Sequence, residues 1–172
     1  NIGQAVSGAH AEQWIFTQVD IVEIPVNAGE LVLPGDWIDK VASDAELLLL
    51  RTGFEKFRGE EVYWASNPGL SAELAKELRR RFPKLRAIGV DFISATSFLH
   101  RKAGREAHQA FLDPALTGNP IWIIEDMSLR DLRSKPIQVT VAPFRVREAD
   151  GSPVTVFAFL NYSADLLAEE EL

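Results

Sequence analysis

The 172-residue sequence predicts a single α/β domain over residues 1–172, with a mixed sheet, helices packed outside it and a C-terminal hairpin. Three observations carry this. Short apolar runs at residues 45–50, 87–90 and 121–124, with turn residues beside them, suit strands covered on both faces. Residues 71–82 and 101–112 carry helical spacing, so helices and strands alternate through the middle of the chain. Finally, residues 137–146 and 154–160 alternate apolar and polar on either side of Ala149-Asp150-Gly151-Ser152-Pro153, a hairpin signal.

Composition narrows the function classes. Hydrophobic residues make up 47%, an ordinary globular share, which excludes disorder over any long stretch. The net charge of −7 argues against a nucleic-acid partner, which selects a basic stripe. The one basic cluster, Arg79-Arg80-Arg81, lies among acids on a helix and is expected to be a solvated face. Cysteine is absent, so neither a disulfide framework nor thiolate chemistry is available. No run approaches the ~18 apolar residues of a membrane span, and no signal peptide is recognised at the start. The expectation is a soluble, cytoplasmic protein with no membrane partner.

In chain order, residues 1–10 are small and weakly patterned and contain no clear element, so the natural beginning is expected elsewhere. Residues 13–26 are β-branched and aromatic and read as one strand, with a change of phase at Ile21–Val22 that a bulge explains. Leu31 to Leu33 pair briefly after a turn at Asn27-Ala28-Gly29. Residues 36–42 form a short helix with Trp37, Ile38 and Val41 on one face and Asp36 as its cap. Residues 45–50, apolar apart from Glu46, are the central buried strand. Residues 54–70 show no periodicity and read as a functional or partner-facing loop ending in the turn Asn67-Pro68-Gly69. Ser71 caps the clearest helix, in which Leu74, Leu78 and Phe82 recur at intervals of four until Pro83 ends it. A strand at 85–90 follows, then a helix at 101–112 with Ala107, Ala110 and Phe111 inward. Thr117-Gly118-Asn119-Pro120 turns the chain into the strand at 121–124. Residues 128–133 form a helical turn with Leu129 and Leu132 inward. The acidic tail at 165–172 is expected to fray.

Asp91 and Glu125 each stand just past the end of a predicted strand, where ligands of open α/β sheets gather. His108 lies on the helix between them. A His and two acids at one sheet end can bind a metal; equally, an acid ending a strand can serve as a turn former or helix cap.

Six segments in order add a resemblance. They are Arg51-Thr52-Gly53, the run NPGLS from Asn67 to Ser71, IGVDFIS from Ile88 to Ser94, Ala107-His108, IIEDMSL from Ile123 to Leu129, and ADGSPV from Ala149 to Val154. Over roughly residues 46–160 the chain resembles the metal-dependent cyclase family that includes kynurenine formamidase and isatin hydrolase. The resemblance implies a swivelling α/β domain with a barrel-like mixed sheet, assembly as a homodimer or homotetramer, and zinc or manganese as cofactor. It also implies hydrolysis of formamide or cyclic amide bonds in a small-molecule substrate, with metal-activated water attacking the carbonyl. The family's later metal ligands fall on His108 and Glu125. At the front, its H-x-G-T-H-x-D signature and following P-x-H are replaced by SGAHAEQWIF. In one register His10 and Glu12 occupy signature positions. In the other, His10 is the first signature His and an active-site loop of roughly 25 residues is absent after it. His10 is a ligand candidate in both, Glu12 in the first only, and the catalytic acid/base is unassigned.

Other candidates have two readings each. Asp91 is expected to orient a loop or support a ligating imidazole. Ser94 and Ser97 either contact substrate or cap a helix, and His100 has no place in the family pattern. Trp14, Phe54, Phe57, Tyr63 and Trp64 line a pocket or an interface. No G-x-S-x-G elbow, phosphate loop or dinucleotide fingerprint offers rival machinery. Two functions follow: a metal-dependent amide hydrolase, or a catalytically silent relative acting as a binding or scaffold protein.

Overall fold

Three layers make up the fold of the computed structural model, which describes residues 5–161. The middle layer is a parallel sheet of β2 (Val19–Glu23), β4 (Leu47–Arg51), β6 (Ala87–Val90) and β7 (Trp122–Ile124), in the order β2-β4-β6-β7. One face is covered by α2 (Ala72–Arg81) and α3 (Arg101–Leu112), packed against each other. The other face is covered by an antiparallel sheet in the order β1-β8-β9, from β1 (Ile15–Phe16), β8 (Gln138–Pro143) and β9 (Val154–Phe159). A parallel pair, β3 (Leu31–Val32) with β5 (Gly69–Leu70), lies beside these layers, and α1 (Glu61–Ala65) precedes β5.

The run of leucines in β4 follows from this sandwich. Successive side chains on a strand point to opposite faces. Leu48 and Leu50 enter the helix-side core with Leu74, Leu78 and Phe111. Leu47 and Leu49 enter the second core with Phe16, Val139 and Val141. Each buried leucine contributes roughly 1.5–3 kcal/mol of transfer free energy, so both faces reward the continuous apolar run.

Ser71 caps α2 by accepting from the Leu74 N–H at 3.1 Å. Phe82 closes the helix before Pro83, and β6 follows after a short connection. The α/β class and the terminal hairpin match the expectation, although the hairpin belongs to its own antiparallel sheet rather than extending the parallel one.

Several local expectations are corrected. Residues 13–26 are not one strand: β1 pairs with β8 while β2 pairs with β4, and the chain crosses between sheets at Thr17-Gln18. The apparent phase change arises because β2 is covered on both faces, with Val19 in one core and Val22 in the other. Asp36 does not cap its turn; Gly35 occupies that position without a side-chain bond. Residues 54–70 contain a 3-10 turn, α1 and β5 rather than an irregular loop. Within them Phe54 and Tyr63 stack in the helix-side core, neither in a pocket nor at an outer surface. Residues 128–133 form no helix, although Leu129 and Leu132 do pack inward.

Arg79 departs furthest from expectation. It is buried, and its guanidinium donates to the carbonyls of Ala110, Asp113, Leu116, Thr117 and Gly118 at 2.6–3.1 Å. It thus satisfies the open carbonyls at the end of α3, where a cation also meets the negative end of the helix dipole. Only Arg80 and Arg81 are solvated, paired with Glu77 and Asp39. The acidic tail at 165–172 lies outside the described residues. Among the described residues, no helix is long and apolar enough to cross a membrane.

Candidate metal centre

The site lies where the parallel strands end. Asp91 follows β6 and is fully buried. Its carboxylate accepts from the Thr52 N–H at 3.0 Å, the Thr52 hydroxyl at 2.5 Å and the Gly53 N–H at 2.8 Å. These bonds hold the Arg51-Thr52-Gly53 turn at the end of β4, in which Gly53 takes the left-handed φ of 73° that glycine adopts freely. Asp91 therefore orients a loop.

Glu125 follows β7. Its Oε1 accepts from the Ala95 N–H at 2.7 Å and the Ser94 hydroxyl at 3.2 Å. The chain turns sharply after it: Asp126 adopts a φ of 57°, with its N–H bonded to the Phe92 carbonyl and that of Met127 to the Val90 carbonyl. A non-glycine residue in this region is uncommon, and here the bonds to the end of β6 impose it.

His108 faces Glu125 from α3, with Nε2 3.7 Å from Oε1. On the other side of the ring, Nδ1 stands 2.9 Å from the Gly104 carbonyl and 3.3 Å from the Thr96 hydroxyl. A carbonyl only accepts, so it assigns the hydrogen to Nδ1. Nε2 is then the ring atom that faces the carboxylate. A ring nitrogen and a carboxylate oxygen at this spacing can be bridged by a proton or by a metal ion. Gly104 makes room for Thr96, because a Cβ there would stand 2.6 Å from the Thr96 Cβ.

His10 is placed elsewhere. It is exposed, and its N–H donates to Gln13 Oε1 at 2.9 Å at the start of a 3-10 turn that also holds Glu12. The Gln13 carbonyl accepts from Arg86, the residue before β6, so this segment is tied to the edge where the parallel strands begin. The structure brings His108 and Glu125 together and does not bring His10 to them. Among the described residues, no group of three His, Cys, Asp or Glu side chains is arranged to hold a metal. His100 is exposed at the start of α3, and the buried Ser97 hydroxyl neither caps a helix nor finds a partner.

A cavity of about 300 Å³ opens beside Glu125, between the parallel sheet and the hairpin. Leu49, Ile124, Val139, Val154 and Val156 make its walls apolar. At its rim Asp126 pairs with Arg58 at 2.8 Å and accepts from the Tyr63 hydroxyl. Burial, and then this bond to Asp126, push the Tyr63 phenol up to about 12, against the opposing effect of Arg58. The sequence reading did not find this cluster, since its members are 63 and 68 residues apart and match no motif.

Five solved chains are similar, among them the following two. Isatin hydrolase A from Labrenzia aggregata, bound to benzyl benzoate, matches with a TM-score of 0.72 at 20% identity, over 92% of this chain and 66% of that one. The chain shares its fold with isatin hydrolase A. A predicted metal-dependent hydrolase from Bacillus stearothermophilus matches with a TM-score of 0.58 at 15% identity, over 90% of this chain and 68% of that one. The chain thus spans about two thirds of the length of each. No family model and no curated relative matches it.

Proposed function

We propose that the chain is a metal-dependent hydrolase of amide bonds, in which His108 and Glu125 hold a divalent cation, zinc or manganese. The observation that carries this is the 3.7 Å approach of His108 Nε2 to the Glu125 carboxylate, each held from behind by protein bonds. The donor types fit: imidazole and carboxylate suit zinc and manganese, and ligating histidines commonly donate their other N–H to a carbonyl. The names of the two similar structures, a hydrolase of isatin and a predicted metal-dependent hydrolase, support the reaction class.

A bound divalent cation supplies Lewis-acid activation of water or of a carbonyl. The protein's own contribution is positional. Gly104 and Thr96 fix the imidazole, Ser94 and the Ala95 N–H fix the carboxylate, and the apolar cavity beside Glu125 takes the hydrocarbon part of a small amide and excludes water. His10 stays a candidate third ligand only if its segment closes onto the pair.

The second reading, a catalytically silent binding or scaffold protein, is favoured by the pair standing alone, without a third donor among the described residues. Turnover separates the two. With zinc or manganese added, the hydrolase reading predicts cleavage of an N-formyl aromatic amine or of isatin, abolished in Glu125→Gln. Metal binding without turnover on either substrate supports the silent relative.

Self-assembly belongs to the same proposal. Phe157 and Phe159 of β9 and Phe144 beyond β8 are at least half exposed, where a solvent-facing sheet ordinarily carries polar side chains. A homodimer or homotetramer covers them, and light scattering that shows only the 19.1 kDa species at micromolar concentration contradicts it.

A further inference from the structure

We propose that Asn67 is the positioning residue of the His108–Glu125 pair, acting through the loop at residues 94–98; the proposal rests on reading that pair as metal donors. A carboxamide presents two donor hydrogens and an acceptor oxygen on one plane. Asn67 is fully buried and uses both ends. Its Nδ2 donates to the carbonyls of Pro68 at 2.7 Å, Ser94 at 3.1 Å and Thr96 at 2.9 Å, and its Oδ1 accepts from the Phe98 N–H at 3.1 Å. One side chain thereby grips the loop at residues 94, 96 and 98.

The same loop reaches the site from two of the gripped residues and the one between them. Ser94 Oγ and the Ala95 N–H bind Glu125, and Thr96 Oγ1 meets His108 Nδ1. Both members of the pair are therefore held by five consecutive residues that one amide organises. The neighbouring backbone completes the anchorage. The Leu70 N–H donates to the Ala95 carbonyl at 2.8 Å, and Gly69 lies so close that a Cβ there would stand 2.7 Å from Ser97 N. These contacts tie the loop to β5, so the Asn67-Pro68-Gly69 segment, a mere turn by its composition, becomes the seat of the loop.

Few side chains can replace the amide. Aspartate has its shape but cannot donate to three carbonyls, and serine keeps a single short donor. Groups that orient metal ligands commonly change metal affinity by about 10–100-fold when lost.

The test combines Zn²⁺ titration calorimetry with residue-resolved amide hydrogen exchange on the wild-type chain, Asn67→Ser and Asn67→Asp. In the wild type, the Ala95 and Phe98 amides are expected to be protected. In both variants their exchange rises by about tenfold or more while the Leu49 and Ile88 amides keep theirs, as local opening requires. Zn²⁺ affinity falls about 10–100-fold in parallel. Unprotected Ala95 and Phe98 amides in the wild type overturn the proposal. So does faster exchange in the variants with Zn²⁺ affinity unchanged, which would leave Asn67 a purely structural role. If the Asn67 variants do not fold, Ser94→Ala and Thr96→Val carry the test by cutting the loop from the pair. Zn²⁺ affinity about tenfold lower supports the proposal, and unchanged affinity overturns it. A wild type that binds no Zn²⁺ sinks the metal reading, while the exchange data still decide whether Asn67 sets the loop.

Discussion

Asp91 and Thr52 are joined by three bonds, two from the Thr52 N–H to the two carboxylate oxygens and one from its hydroxyl. This link fastens the end of β6 to the end of β4 and so fixes the floor from which the Glu125 turn departs. Asp91→Asn keeps the shape but sets an NH₂ group against N–H donors. It is expected to cost about 2–4 kcal/mol, the range for disrupting a buried charged hydrogen-bond group. Urea unfolding measures it; a loss below 0.5 kcal/mol, the scale of surface substitutions, contradicts the assignment.

What the sequence disclosed depended on how local the cause was. Residues 101–112 form α3 because the apolar spacing that marks the helix is the spacing that packs it. Residues 13–26 misled because nothing at Thr17-Gln18 resembles a turn; the crossing is made by Glu46, some 28 residues away. Arg79 read as solvated for the same reason, since its carbonyl partners come 31 to 39 residues later. His108 and Glu125 were singled out by their place beside the strand ends and then by the family resemblance, and their approach is visible in the fold. Asn67 read only as the start of a turn and of one family segment, and Thr96 carried no signal, because the bonds that give them their roles join separate segments of the chain.

Glu46 makes the joint between the two sheets sensitive to acid. Burial pushes its carboxyl up, but the Thr17 and Gln18 N–H groups and the Arg86 guanidinium outweigh this and hold it below the ordinary value. The folded state thus favours the ionised form. Its stabilisation is complete above the unfolded carboxylate range near 4.5 and fades as the pH falls through the lower folded value. Glu46→Gln is expected to cost about 1 kcal/mol at pH 7 and to flatten the acid limb of stability. Denaturant midpoints at pH 7 and pH 3 check this; an unchanged acid limb contradicts it.

Tyr63 acts at the other end of the scale. Its phenol is raised from 10.0 to about 12 in the fold, so the folded chain keeps a proton that the unfolded chain releases. Stability is complete below pH ~10 and declines as the pH rises toward ~12. Tyr63→Phe removes this decline and, by leaving Asp126 one donor short, costs about 1–2 kcal/mol at neutral pH. Stability curves for both proteins between pH 8 and pH 11, a window chosen around the ordinary phenol value, decide it. Parallel curves rule the assignment out.

Gly104→Ala tests the imidazole's seat without touching either donor. The new Cβ would displace Thr96 from His108 Nδ1, while the helix itself gains about 1 kcal/mol of propensity. Overpacking against Thr96 costs about 1–3 kcal/mol and offsets that gain, so the expected result is a chain that melts no higher and binds Zn²⁺ more weakly. Unchanged Zn²⁺ affinity contradicts the role given to Thr96.

The central claim is that His108 and Glu125 hold a divalent cation between them, and titration calorimetry with Zn²⁺ and Mn²⁺ addresses it most directly. The chain, first stripped of metal by chelation, is compared with His108→Ala and Glu125→Gln at fixed pH. The account predicts saturable binding of at least one ion per chain, weakened by about 100-fold or more in each variant, since one removes the imidazole and the other the carboxylate charge. Binding of neither ion to the wild-type chain, or binding that both variants retain in full, contradicts it.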